Sequence, residues 1–259
     1  MGRIAFVRNL SVALPDGSAL IEASTLELRL GHVTAVLGPS GAGKTTILRA
    51  IFTPDDLRAA GYAISWDERS VQEEPAFVPQ RGALLDHLDV SDNVALAQAG
   101  SRLPRDPATW LRAVDLDEDV AARGRSVATL SGGQAQRVAV ARVLAAGRRL
   151  IVMDEPSVGL DPVGVRLLAR LLVKQARAHH AAIIIITHDL ALAGGASDQV
   201  LFLNPTKRAL VPLAWERPAE FDDADVRRAR LSELEASVED LLLQCGCLDQ
   251  RAAIRESDR

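Results

Sequence analysis

The segment Gly38-Pro-Ser-Gly-Ala-Gly-Lys-Thr45 lies between the apolar run Val33–Leu37 and an apolar helical segment. That is the strand–loop–helix setting a phosphate-binding loop requires. Glycines let the backbone turn tightly, so that amide N–H groups converge on phosphate oxygens, and the N-terminal end of the following helix favours their negative charge. Lys44 supplies a point charge for the β and γ phosphates. The hydroxyl of Thr45 is placed to coordinate Mg²⁺, an ion that keeps most of its other ligands as water or phosphate oxygen. The expected ATP-binding set is Gly38, Pro39, Ser40, Gly41, Ala42, Gly43, Lys44, Thr45 and Thr46.

Leu150-Ile-Val-Met-Asp154-Glu155-Pro156 reads as a buried strand ending in two carboxylates, at the edge where a sheet's ligand crevice lies. Alone, such a pair is often a solvated turn. Beside a phosphate loop it acquires a chemistry: Asp154 holds Mg²⁺ through water, and Glu155 polarises the water that attacks the γ-phosphate. Just upstream stands Leu130-Ser131-Gly132-Gly133-Gln134-Ala-Gln-Arg137. With the other two motifs in this order, the chain resembles the nucleotide-binding subunits of ABC proteins over roughly residues 1–203.

The resemblance carries further assignments. Gln80, ending Phe77-Val-Pro-Gln, matches the family's Q-loop glutamine, which touches Mg²⁺ where the membrane subunit docks. His188 matches the switch histidine that contacts the γ-phosphate, and Asp161 the D-loop aspartate that communicates between subunits. Glu155 and His188 are therefore the expected catalytic residues, and Thr45, Gln80 and Asp154 the metal site. In this family Ser131, Gly132, Gly133 and Gln134 of one subunit form the signature that presses on the ATP held by the other. Two nucleotides then glue a head-to-tail dimer, and hydrolysis lets it reopen. A homodimer with two competent sites is expected, docked on transmembrane permease subunits at the cytoplasmic face of the membrane.

Two features depart from the family. Leu14 occupies the position of an aromatic residue that stacks on adenine; a leucine still covers the base but forfeits π-stacking. The stretch between Thr46 and Gln80 is shorter than usual, which puts the small β arm in doubt. A soluble ABC ATPase serving another process, such as iron–sulfur cluster assembly, is the competing reading. The segment Gly82-Ala-Leu-Leu-Asp-His-Leu-Asp-Val-Ser-Asp-Asn-Val94 favours a transporter, since it looks like the version that meets a membrane subunit. Within transporters, Gly82-Ala-Leu-Leu85 and Asp154-Glu-Pro-Ser-Val-Gly-Leu-Asp-Pro162 look most like the phospholipid-trafficking cassettes of bacterial envelopes. Cargo selectivity resides in other subunits.

These residues need a scaffold, and hydrophobic patterning supplies one. Thr25-Leu-Glu-Leu-Arg-Leu30 alternates apolar and polar, as in an antiparallel strand with one wet face. The continuously apolar runs Val33–Leu37, Leu150–Met153 and Ile183–Ile186 suit strands covered on both faces in a parallel sheet. Leu168, Leu171 and Leu172 fall at helical spacing behind Asp161 as cap and Pro162 at the first helical position. The expected fold is α/β: a P-loop NTPase (RecA-like) core with a mainly parallel sheet, an antiparallel β subdomain and an inserted helical signature subdomain at about 81–147. The cassette spans 1–205. A C-terminal extension, 206–259, ends in an amphipathic helix carrying Leu231, Leu234, Val238, Leu241 and Leu242.

Composition removes other classes. Thirty basic against 34 acidic side chains, a net charge of -4 and no long block of like charge argue against a nucleic-acid partner. No apolar run approaches the roughly 20 residues a membrane helix needs, and no signal peptide is evident. Cys245 and Cys247, the two cysteines, are too few for a disulfide framework and too few for a structural zinc site, so they are expected as reduced thiols in a cytoplasmic protein. His179 and His180 read as a solvated helix end.

Overall fold

The computed structural model describes residues 2–80, 84–99, 101, 106–121, 124–218 and 224–247. Its centre is a six-stranded sheet. β3 (Val33–Leu37), β6 (Ala76–Val78), β7 (Leu150–Asp154), β8 (Ala182–Ile186) and β9 (Gln199–Asn204) run parallel, and β10 (Ala209–Pro212) closes one edge antiparallel, in the order β10-β9-β3-β8-β7-β6.

The apolar runs are buried from both sides because successive side chains of a strand point to opposite faces. Ile183 and Ile185 enter one core cluster with Ile151, Met153, Val33 and Leu37. Ile184 and Ile186 enter the other with Leu150, Val152 and Val36. Ile183 to Ile186 are at most 1% exposed, and each side chain so buried contributes about 1.5–3 kcal/mol.

The second cluster is capped by an antiparallel sheet in which β1 (Arg3–Ala13) pairs with β2 (Ala19–Arg29). The small arm that the short sequence put in doubt is present. β4 (Ala63–Ser65) and β5 (Glu68–Val71) both pair antiparallel with β1. A short linker suffices because β1 is long enough to take both on its free edge, and Trp66 between them lies under the Arg58 and Arg69 guanidinium groups at 4.9 and 5.3 Å.

The first cluster is covered by helices. After α1 (Lys44–Phe52) and α2 (Pro54–Ala59) come α3 (Val90–Ala97), α4 (Pro107–Ala113), α5 (Glu118–Ala121) and α6 (Gly132–Ala145), all between β6 and β7. Asp89 and Asp106 cap α3 and α4, each accepting a backbone N–H. Then follow α7 (Pro162–Ala178), α8 (Leu190–Ala196) and α9 (Ala224–Gln244). As expected, Asp161 caps α7, its Oδ1 accepting from Gly164 N at 2.7 Å, with Pro162 opening the helix.

α9 packs on α8 through Leu231 and Leu234, against Gly194 and Trp215. The ends of the expected amphipathic segment, residues 222, 223 and 248, lie outside the described residues, as do 81–83 after Gln80. Among the described residues no helix is long and apolar enough to cross a membrane. Cys245 packs against the core and Cys247 reaches back toward it, Sγ to Cys245 O at 3.7 Å.

Candidate nucleotide site

The site forms where β3, β7 and β8 end together. Register places Val36 beside Ile186 and Asp154 beside Ile186, so the residues following each strand emerge at one edge of the sheet. From β3 the chain enters the loop of residues 38–43 and then α1. Gly43, at the N-cap of α1, has φ +92°, and a Cβ there would stand 2.6 Å from Leu20 Cδ1. Only glycine fits this turn. No side chain caps α1, so the first-turn amides of Lys44, Thr45 and Thr46 remain available to an anion.

Lys44, 8% exposed, folds back on this loop: Nζ donates to Gly38 O at 2.8 Å and Pro39 O at 2.9 Å. Burial pushes its pKa down, opposed by the charges of Glu155 and Asp154. Thr45 Oγ1 donates to Asp154 Oδ2 at 2.6 Å. Burial holds the Asp154 carboxyl above its usual range; the Thr45 hydrogen bond and Lys44 act against this, and Glu155 adds to it.

Glu155 leaves β7 with φ +51°, its N–H donating to Ile186 O at 2.8 Å. This turn aims a nearly buried carboxylate at β8. Its Oε2 accepts from Thr187 Oγ1 at 3.3 Å and His188 N at 3.4 Å, with His188 Nδ1 at 2.9 Å. A carboxylate only accepts, so Nδ1 carries a proton in this pairing. The His188 side chain is 64% exposed and the Glu155 side chain 10%: the histidine reaches solvent while the carboxylate stays covered.

Sequence reading passed over Thr187. Fully buried, its hydroxyl also accepts from Asp189 N at 3.0 Å, which starts α8 and orients the histidine. Its signal was a lone polar residue directly after the Ile183–Ile186 run. Leu20 against Gly43 had no signal at all.

The structure thus gathers residues 38–46, Asp154, Glu155 and His188. Gln80 stands exposed just past β6, the sheet's edge strand next to β7. Signature residues Ser131 and Gln134 form a reciprocal capping box at the start of α6, Ser131 Oγ accepting from Gln134 N at 3.2 Å and Gln134 Oε1 from Ser131 N at 2.9 Å. α6 packs on α3, α4 and β6, so the signature belongs to the helical layer and not to the phosphate loop of its own chain. Leu14 is half-buried in the turn joining β1 to β2, closed by Leu14 N to Ser18 O and Gly17 N to Leu14 O, both 2.9 Å.

A glycine loop opening onto an uncapped helix, beside a strand that delivers two carboxylates, defines a P-loop NTPase core. The ABC transporter family model matches residues 21–158. The hemin import ATP-binding protein HmuV of Streptomyces coelicolor is 34% identical over 73% of this chain and 70% of its own length. The sulfate/thiosulfate import ATP-binding protein CysA of Bordetella pertussis is 36% identical over 82% of this chain, which spans 64% of that protein. In fold, a dimeric bacterial ABC transporter cassette aligns with a TM-score of 0.65 at 23% identity, covering 80% of this chain and 96% of that one. The chain belongs to the ABC transporter family. It is an ATP-binding, ATP-hydrolysing cassette whose activity is coupled to transport.

Proposed function

We propose that this cassette hydrolyses ATP at the residues gathered above, as one half of a head-to-tail homodimer that drives import through transmembrane permease subunits on the cytoplasmic face of a membrane. The observation that carries the reading is the 2.6 Å hydrogen bond between Thr45 and Asp154, immediately before Glu155. It brings a hydroxyl and a partly buried carboxylate together beside the phosphate loop, a donor set of hard oxygens that suits Mg²⁺. Thr45, Asp154 through water, and Gln80 would hold the ion. Bound there, Mg²⁺ neutralises charge on the phosphate oxygens.

The chain's own groups do the rest. Lys44 exchanges the Gly38 and Pro39 carbonyls for phosphate oxygens, gaining a charged acceptor in place of neutral ones. The amides of the loop and of α1 orient the triphosphate. Glu155 takes the proton of the attacking water, held in place by Thr187 and by the His188 amide. His188, on the open side of that carboxylate, contacts the γ-phosphate. Ser131, Gly132, Gly133 and Gln134 complete the site of the other subunit, and Asp161 links the two.

Import is favoured by the relatives' names, which speak of hemin and of sulfate or thiosulfate. They do not favour a soluble ATPase outside transport. Purification of the tagged chain from its native cells in mild detergent tests the reading. A multi-span membrane protein should copurify, and its binding cavity would define the cargo. Recovery of soluble proteins alone, where a known transporter keeps its membrane subunit, would refute the assignment.

A further inference from the structure

The signature and the D-loop of one subunit meet backbone to backbone. A Cβ built on Gly133 would stand 2.4 Å from the Gly159 carbonyl oxygen, and one on Gly159 would stand 3.1 Å from both N and Cα of Gly133. Gly159 also has φ +78°, so conformation and close approach both require glycine there. What a side chain would meet at either position is main chain, which cannot rotate aside.

A narrow crevice lined by Val114, Arg137, Val140, Pro156, Leu160 and Leu168 runs beside this contact, and the buried Arg137 Nε has no hydrogen-bond partner. The glycine pair is the tight spot between the α4–α6 layer and the segment leading to α7. On its other side Gly159 is tied to the main chain of Glu155 by a short run of turns. Val158 N donates to Glu155 O at 3.2 Å and Leu160 N to Ser157 O at 3.0 Å, while Ser157 is buried. Two successive turns therefore connect the end of β7 to Asp161 with little slack.

We propose that Gly159 is a positioning residue that sets the signature of its own subunit, through Gly133, in register with its own Glu155. The inference rests on the head-to-tail dimer proposed above. Each subunit then reports the position of its own carboxylate to the nucleotide held by the other, by a route that never leaves the subunit. Relieving the 2.4 Å approach of a Cβ on Gly133 to the 3.4 Å of an ordinary contact moves the signature by about 1 Å; a Cβ on Gly159 must gain only about 0.3 Å from 3.1 Å but is strained as well by its φ of +78°, and either shift disturbs hydrogen bonds to a phosphate across the interface.

Four proteins test this, all carrying Glu155→Gln so that bound ATP is not consumed: the parent, Gly159→Ala, Gly133→Ala and the double variant. ATP-dependent dimerisation is read by analytical ultracentrifugation, and ADP affinity of the single subunit by calorimetry. ADP affinity should stay within about twofold throughout, while each single variant dimerises at least about tenfold more weakly. The double should be no weaker than the worse single, because one contact can be lost only once.

Losses that multiply in the double, a Gly159→Ala variant that dimerises like the parent, or ADP affinity falling in step with dimerisation would each overturn the proposal. A parent that fails to dimerise with ATP would overturn the dimer reading itself and this inference with it. The two failures are thereby distinguished.

Discussion

Replacing Glu155 by glutamine separates binding from chemistry. The side chain is 10% exposed, and its Oε2 faces His188 Nδ1 at 2.9 Å, Thr187 Oγ1 at 3.3 Å and His188 N at 3.4 Å. In Glu155→Gln the amide oxygen can take the Oε2 place and accept from all three, with its NH₂ turned to the open side. The fold survives. Hydrogen bonds to a neutral oxygen are weaker than those to a carboxylate, a loss of about 1 kcal/mol, or about 2–4 °C in Tm for a chain of this size.

Catalysis fares differently, because an amide oxygen does not take up a proton from water. Removal of a general base lowers kcat by about 10²–10⁴, equivalent to about 3–5 kcal/mol of barrier. ATP affinity should change by less than about threefold, tightening if it moves at all, since one negative charge leaves the neighbourhood of the polyanion and of Lys44. Phosphate release and titration with a fluorescent ATP analogue provide the two numbers. A kcat above about one tenth of the parent's, or an affinity loss that tracks the loss of kcat, would refute the assignment of Glu155 as base.

Restoring an aromatic ring with Leu14→Tyr should tighten ATP binding by about 2- to 12-fold, the 0.5–1.5 kcal/mol of a stacked pair, and leave inorganic triphosphate unaffected; an equal gain for triphosphate would mean that residue 14 does not face the base. For Asp154 the sign follows from burial, which holds its pKa above the usual 3.8. The folded state binds more protons than the unfolded one, so stability from this group is fully present below pH 3.8 and is lost as pH rises through the raised folded value. Nucleotide-free Asp154→Asn should therefore melt above the parent at neutral pH, the two converging as pH falls, while losing phosphate release; a lower melting point at neutral pH would contradict this. Leu234, on the buried face of α9 and 2% exposed, packs toward Gly194 of α8. Leu234→Ala should cost about 2–5 kcal/mol in urea unfolding, and an unchanged midpoint would show that α9 is not docked.

What could be read from the sequence was local chemistry and local period. Leu150–Asp154 and Ala182–Ile186 announce a doubly covered sheet because every second residue of an unbroken apolar run must find its own core, and the two clusters divide them accordingly. Asp161 and Pro162 announce the start of α7 because a helix end has fixed needs. What stayed hidden joins residues far apart in sequence. The pairing of Ala63–Ser65 with β1 depends on a partner some fifty residues earlier, and three residues carry too little period to show it. The meeting of Gly133 and Gly159 is more hidden still, because a glycine states only that something needs room or an unusual φ, not what approaches. In the motif string the two glycines stand 26 positions apart, and nothing in it links them. In the fold they are one contact: in the proposed head-to-tail dimer the signature would serve the other subunit's nucleotide, and a stiff internal link is what would let it carry information about its own.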